Sequence, residues 1–463
     1  MLMGRGMLNG IVPYRDLVDN KGLVIYALNA LAQFIFPYKI FSTFGVWFML
    51  FVFMFVSLVL VWKIAKLLGC KYPVLFQIIY MFLIFGLYRG GNRCEEYSTF
   101  FTVIAYYFAV KYIKAEGEKS IWKYGAIFGL TFALCFFVRP NNAFPICAMA
   151  IAITIMLISR KEFKNLFICI GAFLSSFLFV VLLIALYLYF NNALEDCINL
   201  TIIANLGYGA FNGDMFKIFS TRFMHWGLVY CGFSIFGGIL QIIVSNKQSK
   251  DRALGLALII SGILSVYSYM MSGFDYVWYL LVGAVPAFVG FSIIVTYLFK
   301  KIQTDNTQLK KSVGIMYKIV FSVLFVMYCF YAVPSVKNVV KTTLDIPQSI
   351  SQFAKNGGVS QRSVEINKLT SMIPDADRDS FYVVSQIPNW YIQSNLFPCK
   401  RIFICAYIYA FVSDELNNEF NDYFVTDSPK YILSDDKPLR DDIYPKYEKI
   451  ASNSDMVLYK LKS

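Results

Sequence analysis

Charge is what this sequence has least of. Only 15% of its 463 residues are Asp, Glu, Lys or Arg, against about 25% in a soluble domain. Histidine is rarer still: His225 is the only one, which excludes a histidine-based metal site by count. The ten cysteines include no CxxC pair and no regular spacing, so neither a zinc ribbon nor a disulfide framework is indicated. Residues 1–21 lack an apolar h-region, so no cleavable signal peptide is expected. There is no internal repeat and no low-complexity tract. No nucleic-acid-binding module accompanies the formal charge of +13, and nucleic acid is not an expected partner.

What fills the sequence instead is apolar. Hydrophobic residues make up 58% and the mean hydropathy is +0.58. The runs are unbroken and many approach the ~20 residues that a helix needs to cross the hydrocarbon. A β-barrel would alternate in segments of about 10 residues, so a helical membrane protein is predicted. Ten spans can be drawn: 44–62, 73–88, 100–112, 124–138, 143–159, 166–190, 223–244, 253–271, 277–299 and 314–333. Residues 22–36 are apolar but short and end at Pro37, which suggests a re-entrant or interfacial helix. Cys135, Cys147, Cys169, Cys231 and Cys329 fall inside apolar runs as small core residues. Cys94, Cys197, Cys399 and Cys405 fall outside, where a pair could bridge.

Lysine and arginine set the sidedness. The loops after the first, third, fifth, seventh and ninth spans hold seventeen of them; the four alternate loops hold five, Arg89, Arg93, Arg139, Lys217 and Arg222. The cation-rich loops are therefore cytoplasmic. The Asp16 loop, the Glu95 loop, Arg139 and the C-terminal segment share the outer face. From about Pro334 the composition becomes that of a soluble domain. Helical spacing over 349–372 and β-rich runs at 381–385, 401–405, 430–434 and 456–461 predict a small α/β domain. The expected architecture is an all-α polytopic membrane protein. Residues 1–43 form an outer loop and juxtamembrane helix, 44–333 the helical membrane domain, and 334–463 an extracytoplasmic α/β domain.

Four places carry candidate chemistry. Asp16 and Asp19, with Arg15 and Lys21, sit in a polar loop before the helix at 22–36. They either cap that helix and suit its dipole, or supply a carboxylate that takes a proton while Lys21 faces a phosphate. Glu95 and Glu96 share a loop with Arg89 and Arg93. They are either solvated ion-pair partners or a second acidic contribution to the same outer face. Gly90, Gly91 and Tyr97 would let the backbone approach a sugar there. Arg139, followed by Pro140, Asn141 and Asn142, ends a short span. It either snorkels to the interface or grips a phosphate in bidentate fashion. Asp275 and Tyr276 occupy an outer turn, SGFDY, as turn residues or as substrate contacts.

These motifs resemble a known family. GRGMLNGIVPYRDLVDNKG is similar to the first outer loop of bacterial GT-C membrane glycosyltransferases, in the branch related to protein mannosyltransferases and the aminoarabinose transferase. GGNRCEEYS resembles their second acidic loop, FFVRPNN their arginine-bearing span end, and SGFDYVWYLLVGAVP a later segment ending in proline. The order, the spacing and a small outer C-terminal domain all fit, over nearly the whole chain. The resemblance implies transfer of a sugar from a polyprenyl-phosphate donor to a lipid, glycan or protein acceptor outside the cell membrane. It places Asp16 and Asp19 in the loop lining the active site, Lys21 and Arg139 near the donor phosphate, and Glu95 and Glu96 on the second acidic loop. A divalent metal is the one candidate cofactor. Three departures stand out. Relatives usually have one more span before this loop, followed by an acidic base, whereas Met1 falls inside the motif, so loss of a first transmembrane helix is expected. Asn20 replaces a histidine, and Trp278 stands where relatives often have another. The alternatives are a transporter or flippase of a lipid-linked glycan, which would place charges within spans, and a truncated inactive remnant.

Overall fold

A computed structural model describes residues 1–85, 87–88, 91–115, 120–204, 222–247, 249–271, 276–303, 311–356, 360–385, 389–403, 413–435, 444–453 and 455–462. The chain is mostly helical and divides into two units. One comprises Met1–Val46, Tyr187–Ala210 and Lys341–Ser463; the other comprises Trp47–Leu186 and Phe211–Val340.

The second unit is a bundle of apolar helices. Among the described residues, five helices of the chain are long and apolar enough to cross a membrane: Phe44–Leu67, Pro140–Ser159, Phe163–Phe190, Trp226–Val244 and Asp251–Met270. Pro73–Phe85, Ile121–Phe136, Ala284–Phe299 and Lys318–Phe330 are shorter apolar helices. Cys94–Lys114 has the length of a span but a more polar sequence. This is a multi-pass membrane protein.

Glycines let the bundle close. A Cβ on Gly237 would stand 2.3 Å from Gly290 Cα, and one on Gly290 2.1 Å from Phe233 O. Helix Trp226–Val244 therefore meets helix Ala284–Gln303 backbone to backbone, the close approach that small residues permit between membrane helices. Gly238 and Gly255 do the same between Trp226–Val244 and Asp251–Met271. Buried hydroxyls add cross-links, as where Tyr106 Oη and Ser261 Oγ lie 2.7 Å apart. Outward faces stay apolar: Phe167, Phe179 and Leu178 are all exposed, as expected for surface that meets lipid.

The first unit joins three distant stretches of chain. Helix Leu2–Leu8 packs on helix Leu23–Ile35, where a Cβ on Gly4 would meet Ala30 N at 2.7 Å. Arg5 is 2% exposed. It donates to Gln33 Oε1 at 2.9 Å and to the carbonyl of Ile392 at 2.8 Å, and its guanidinium lies 4.8 Å from the Tyr38 ring. Burial pulls its pKa down to about 10, so it remains cationic at neutral pH and its hydrogen bonds are charge-assisted.

The C-terminal part carries a four-stranded sheet: β1 (Phe381–Val384), β2 (Tyr431–Asp435), β3 (Tyr447–Ser452) and β4 (Met456–Leu461), in the order β1-β2-β4-β3. The β1–β2 pair is parallel and the other two pairs are antiparallel. The parallel pair needs a crossover, and helices Asn389–Ser394 and Asp414–Asp422 lie within it. Three of the expected strands are present. Of the fourth, at 401–405, residues 401–403 are non-regular and 404–405 lie outside the described residues. Strand β3, YEKIAS, was not expected because it exposes most of its side chains and shows no clear apolar alternation. Helix Lys311–Lys355 runs through Pro334, and the two units divide at Val340. Among the described residues no disulfide joins Cys94, Cys197 or Cys399 to another of these. Cys405 is outside the described residues.

Candidate functional site

The acidic loop of the first unit is a folded structure. Gly10 and Tyr14 adopt positive φ, 80° and 73°, which reverses the chain and buries the Tyr14 ring completely. Tyr14 is held there by its amide, bonded to Leu17 O at 2.9 Å, and by its hydroxyl, bonded to Lys21 O at 2.8 Å. Asp16 closes the turn: its Oδ2 accepts from Val12 N at 2.7 Å, and its two oxygens accept from Arg15 Nε at 2.6 Å and Nη2 at 2.8 Å. The Arg15 guanidinium beside it holds the Asp16 carboxyl below the usual carboxylate range. Arg15 also donates to Asn191 O at 3.0 Å, and Val18 N donates to Arg401 O at 2.9 Å.

Asp19 is a different carboxylate. It is 6% exposed, accepts from Asn20 N at 2.8 Å, and pairs with Lys21 Nζ at 2.9 and 3.2 Å. Neither aspartate caps the following helix, whose N-cap is Gly22 and which carries no side-chain cap bond. Neither therefore is the N-cap of that helix.

In the second unit the two adjacent glutamates separate in role. Both are in the first turn of helix Cys94–Lys114. Glu96 turns back and accepts from Gly91 N at 3.1 Å and Arg93 N at 3.2 Å, closing the helix start as a capping residue does. Glu95 turns inward: it is 2% exposed, and its Oε1 accepts from Arg139 Nη1 at 2.7 Å. That is the only hydrogen-bond partner of its side chain among the described residues. Arg139 is the N-cap of the 3₁₀ turn Pro140–Ala143, and its guanidinium lies 4.0 Å from the Tyr279 ring centre. Arg93 covers Trp278 at 4.1 Å, and Tyr276 stacks on the same indole at 4.4 Å and 15°. A carboxylate, two guanidiniums and three aromatic rings thus meet from three stretches of chain, 93–95, Arg139 and 276–279. Asn142 Nδ2 reaches Ser98 Oγ at 3.0 Å beneath them, and Asn141 O accepts from Ser268 Oγ at 3.3 Å.

Of the residues expected from the sequence, the structure brings Glu95, Arg139, Asn141 and Tyr276 into one unit, with Glu96 as a helix cap. It brings Arg15, Asp16, Asp19 and Lys21 into the other. Arg89, Gly90 and Asp275 lie outside the described residues. In the sequence Trp278 stands out only as a departure from the family pattern, Tyr279 does not stand out at all, and Arg93 is legible only as a local ion-pair partner. Tyrosine is too abundant, at 32 residues, for one to stand out, and only the fold brings these side chains onto the arginines. Among the described residues no three His, Cys, Asp or Glu side chains come together.

These features define a multi-pass membrane protein with two charged constellations. The chain belongs to the family described as the putative competence-induced protein Ccs4 N-terminal domain, which matches residues 1–347. No curated protein sequence matches it. Among solved structures it is similar to the archaeal oligosaccharyltransferase AglB from Archaeoglobus fulgidus. With an inhibitory peptide and a dolichol-phosphate bound, that protein shows 12% identity over 94% of this chain and 64% of its own, with a TM-score of 0.48. Its apo form gives 13%, 94%, 65% and 0.48. The chain thus spans just under two thirds of the length of these structures.

Proposed function

We propose that this protein is a GT-C-like membrane glycosyltransferase. It would move a sugar from a polyprenyl-phosphate-linked donor to a lipid, glycan or protein acceptor on the outer face of the membrane. The reading rests on the motif order in the sequence and on one structural observation, the buried Glu95 carboxylate paired with the partly buried Arg139 under Tyr279. Taking a charge pair out of water is costly, and ionisable groups near membrane depth mark function by default. Ten spans fit this reading: the five long helices, four of the five shorter apolar ones (all but Leu23–Ile35) and Cys94–Lys114.

The reaction is a single displacement. An acceptor hydroxyl attacks the anomeric carbon, the bond from that carbon to the phosphate oxygen breaks with inversion, and the hydroxyl proton passes to a carboxylate. Polyprenyl phosphate leaves with the electron pair. Arg139 is suited to the leaving phosphate: Glu95 engages one of its nitrogens, and the planar guanidinium can present two donors to one anion. Lys21 is a second candidate for phosphate. For the base, Glu95 and Asp19 compete, each buried and each paired with one cation. Asp16, locked by Arg15 and Val12 N, is assigned to holding the loop.

The test is release of polyprenyl phosphate from a labelled donor by purified full-length protein. Arg139→Ala should lower it about a hundredfold, the scale of one lost charge stabiliser. Glu95→Gln and Asp19→Asn decide the base: the variant with the larger kcat loss and an altered pH profile identifies it. Wild-type rates in all three variants would discard the reading.

A further inference from the structure

The second unit has another charged cavity, formed by residues outside the constellation described above. It measures about 870 Å³ and is bounded by helices Phe144–Ser159, Trp226–Val244 and Asp251–Met271 with their connecting turns. Its rim carries Arg160, Lys161, Lys247 and Arg252, and its only carboxylate is Glu162. Glu162 is already engaged, accepting from Arg160 Nε at 2.7 Å and Asn165 Nδ2 at 2.9 Å. The neighbouring acid Asp251 is paired with Lys114 at 2.8 Å. The rim therefore carries a net positive charge. Below the rim the wall is apolar, with Ile155, Met156, Ile242 and Leu256, and the outward faces of Ile155, Ile158 and Ile243 are exposed.

Lys161 sharpens the picture. Helix Phe144–Ser159 ends in a Schellman turn, with Glu162 N bonded to Leu157 O and Lys161 N to Ile158 O, both at 2.9 Å. The residue at that position is left-handed, and glycine is the usual occupant. Here it is a lysine at φ 57°, which puts a cation on the rim at a conformational cost.

We propose that this cavity holds one anionic phospholipid of the cytoplasmic leaflet. Lys161, Lys247 and Arg252 take the phosphate head group, and an acyl chain lies along Ile155, Met156 and Ile242. Charge complementarity with an apolar wall beneath favours a lipid over a free anion, which would have no use for that wall. The distribution of lysine and arginine among the loops puts this rim in the leaflet richest in anionic lipid.

The experiment is native mass spectrometry of the full-length protein in detergent with added phosphatidylglycerol, phosphatidylcholine or inorganic phosphate. Wild type should retain phosphatidylglycerol over phosphatidylcholine at least tenfold and show no saturable phosphate adduct. Lys161→Gly relieves the left-handed backbone, so it should fold at least as well as wild type and still lose about fivefold of the preference, the scale of one cation at an anionic surface. Lys247→Ala with Arg252→Ala should abolish it. Equal retention of the two lipids by wild type overturns the proposal, as does an unchanged preference in the variants. Saturable binding of phosphate alone would replace the lipid with a soluble anion.

Discussion

The two charged constellations are built in opposite ways. In the loop of the first unit, both aspartates pair with a cation one or two residues away, Asp16 with Arg15 and Asp19 with Lys21. In the second, Glu95 finds Arg139 across 44 residues, and the aromatic lids come from the 3₁₀ turn Val277–Leu280 and the residue before it, Tyr276. The solvent differs as well between the Arg15–Asp16 and Glu95–Arg139 pairs, while Asp19 is buried like Glu95. The Arg15 and Asp16 side chains are 40% and 32% exposed, whereas Glu95 is 3% exposed and Arg139 26%. A local exposed pair organises its own turn and contributes about 0–1 kcal/mol. A distant buried pair ties helices together, and removing one partner leaves an uncompensated charge at about 3–5 kcal/mol.

That contrast can be broken by substitution. The largest effect should come from Arg139→Ala, which strands the Glu95 carboxylate. Thermal unfolding in detergent should shift well beyond that of Arg15→Ala, and Glu95→Gln in the same chain should restore part of the loss. Equal shifts for Arg139→Ala and Arg15→Ala would erase the distinction. A smaller effect is expected of Trp278→Ala, which removes the surface between Arg93 and Tyr276. Sugar stacking would appear as a raised KM for donor or acceptor with folding intact. An unchanged KM would leave the stack a structural one.

The smallest effect is a pH dependence in the first unit. Because Arg15 lowers the Asp16 pKa, the stabilisation is complete above the ordinary aspartate value of about 3.9. It is lost as pH falls through the lowered folded value. Protease cleavage within 10–22 should rise only in strong acid, below about pH 4, and Asp16→Asn should remove that dependence. A rise near neutral pH would contradict the Arg15 lock.

The difference between the units also explains what could be read in advance. The apolar runs fixed the helical class, because a chain with this little charge cannot stay in water. Local pairs such as Asp19 and Lys21 were visible as neighbours. Helix lengths were less legible: the composition change at Pro334 marks a chemical boundary, yet helix Lys311–Lys355 continues past it. Glu95 and Glu96 could not be told apart in the sequence, since adjacent residues on a helix start point in different directions.

Composition and loop charge by themselves determined that this chain is a multi-span membrane protein and pointed to the stretches that carry its polar chemistry. Only the tertiary structure decided how each carboxylate is held. It gave Glu96 to a helix start and Asp16 to a turn, and buried Glu95 against Arg139 under Tyr279. The reason is physical: a carboxylate's role depends on the donors around it and the water taken from it, and in the second unit those are supplied by segments far apart in the chain.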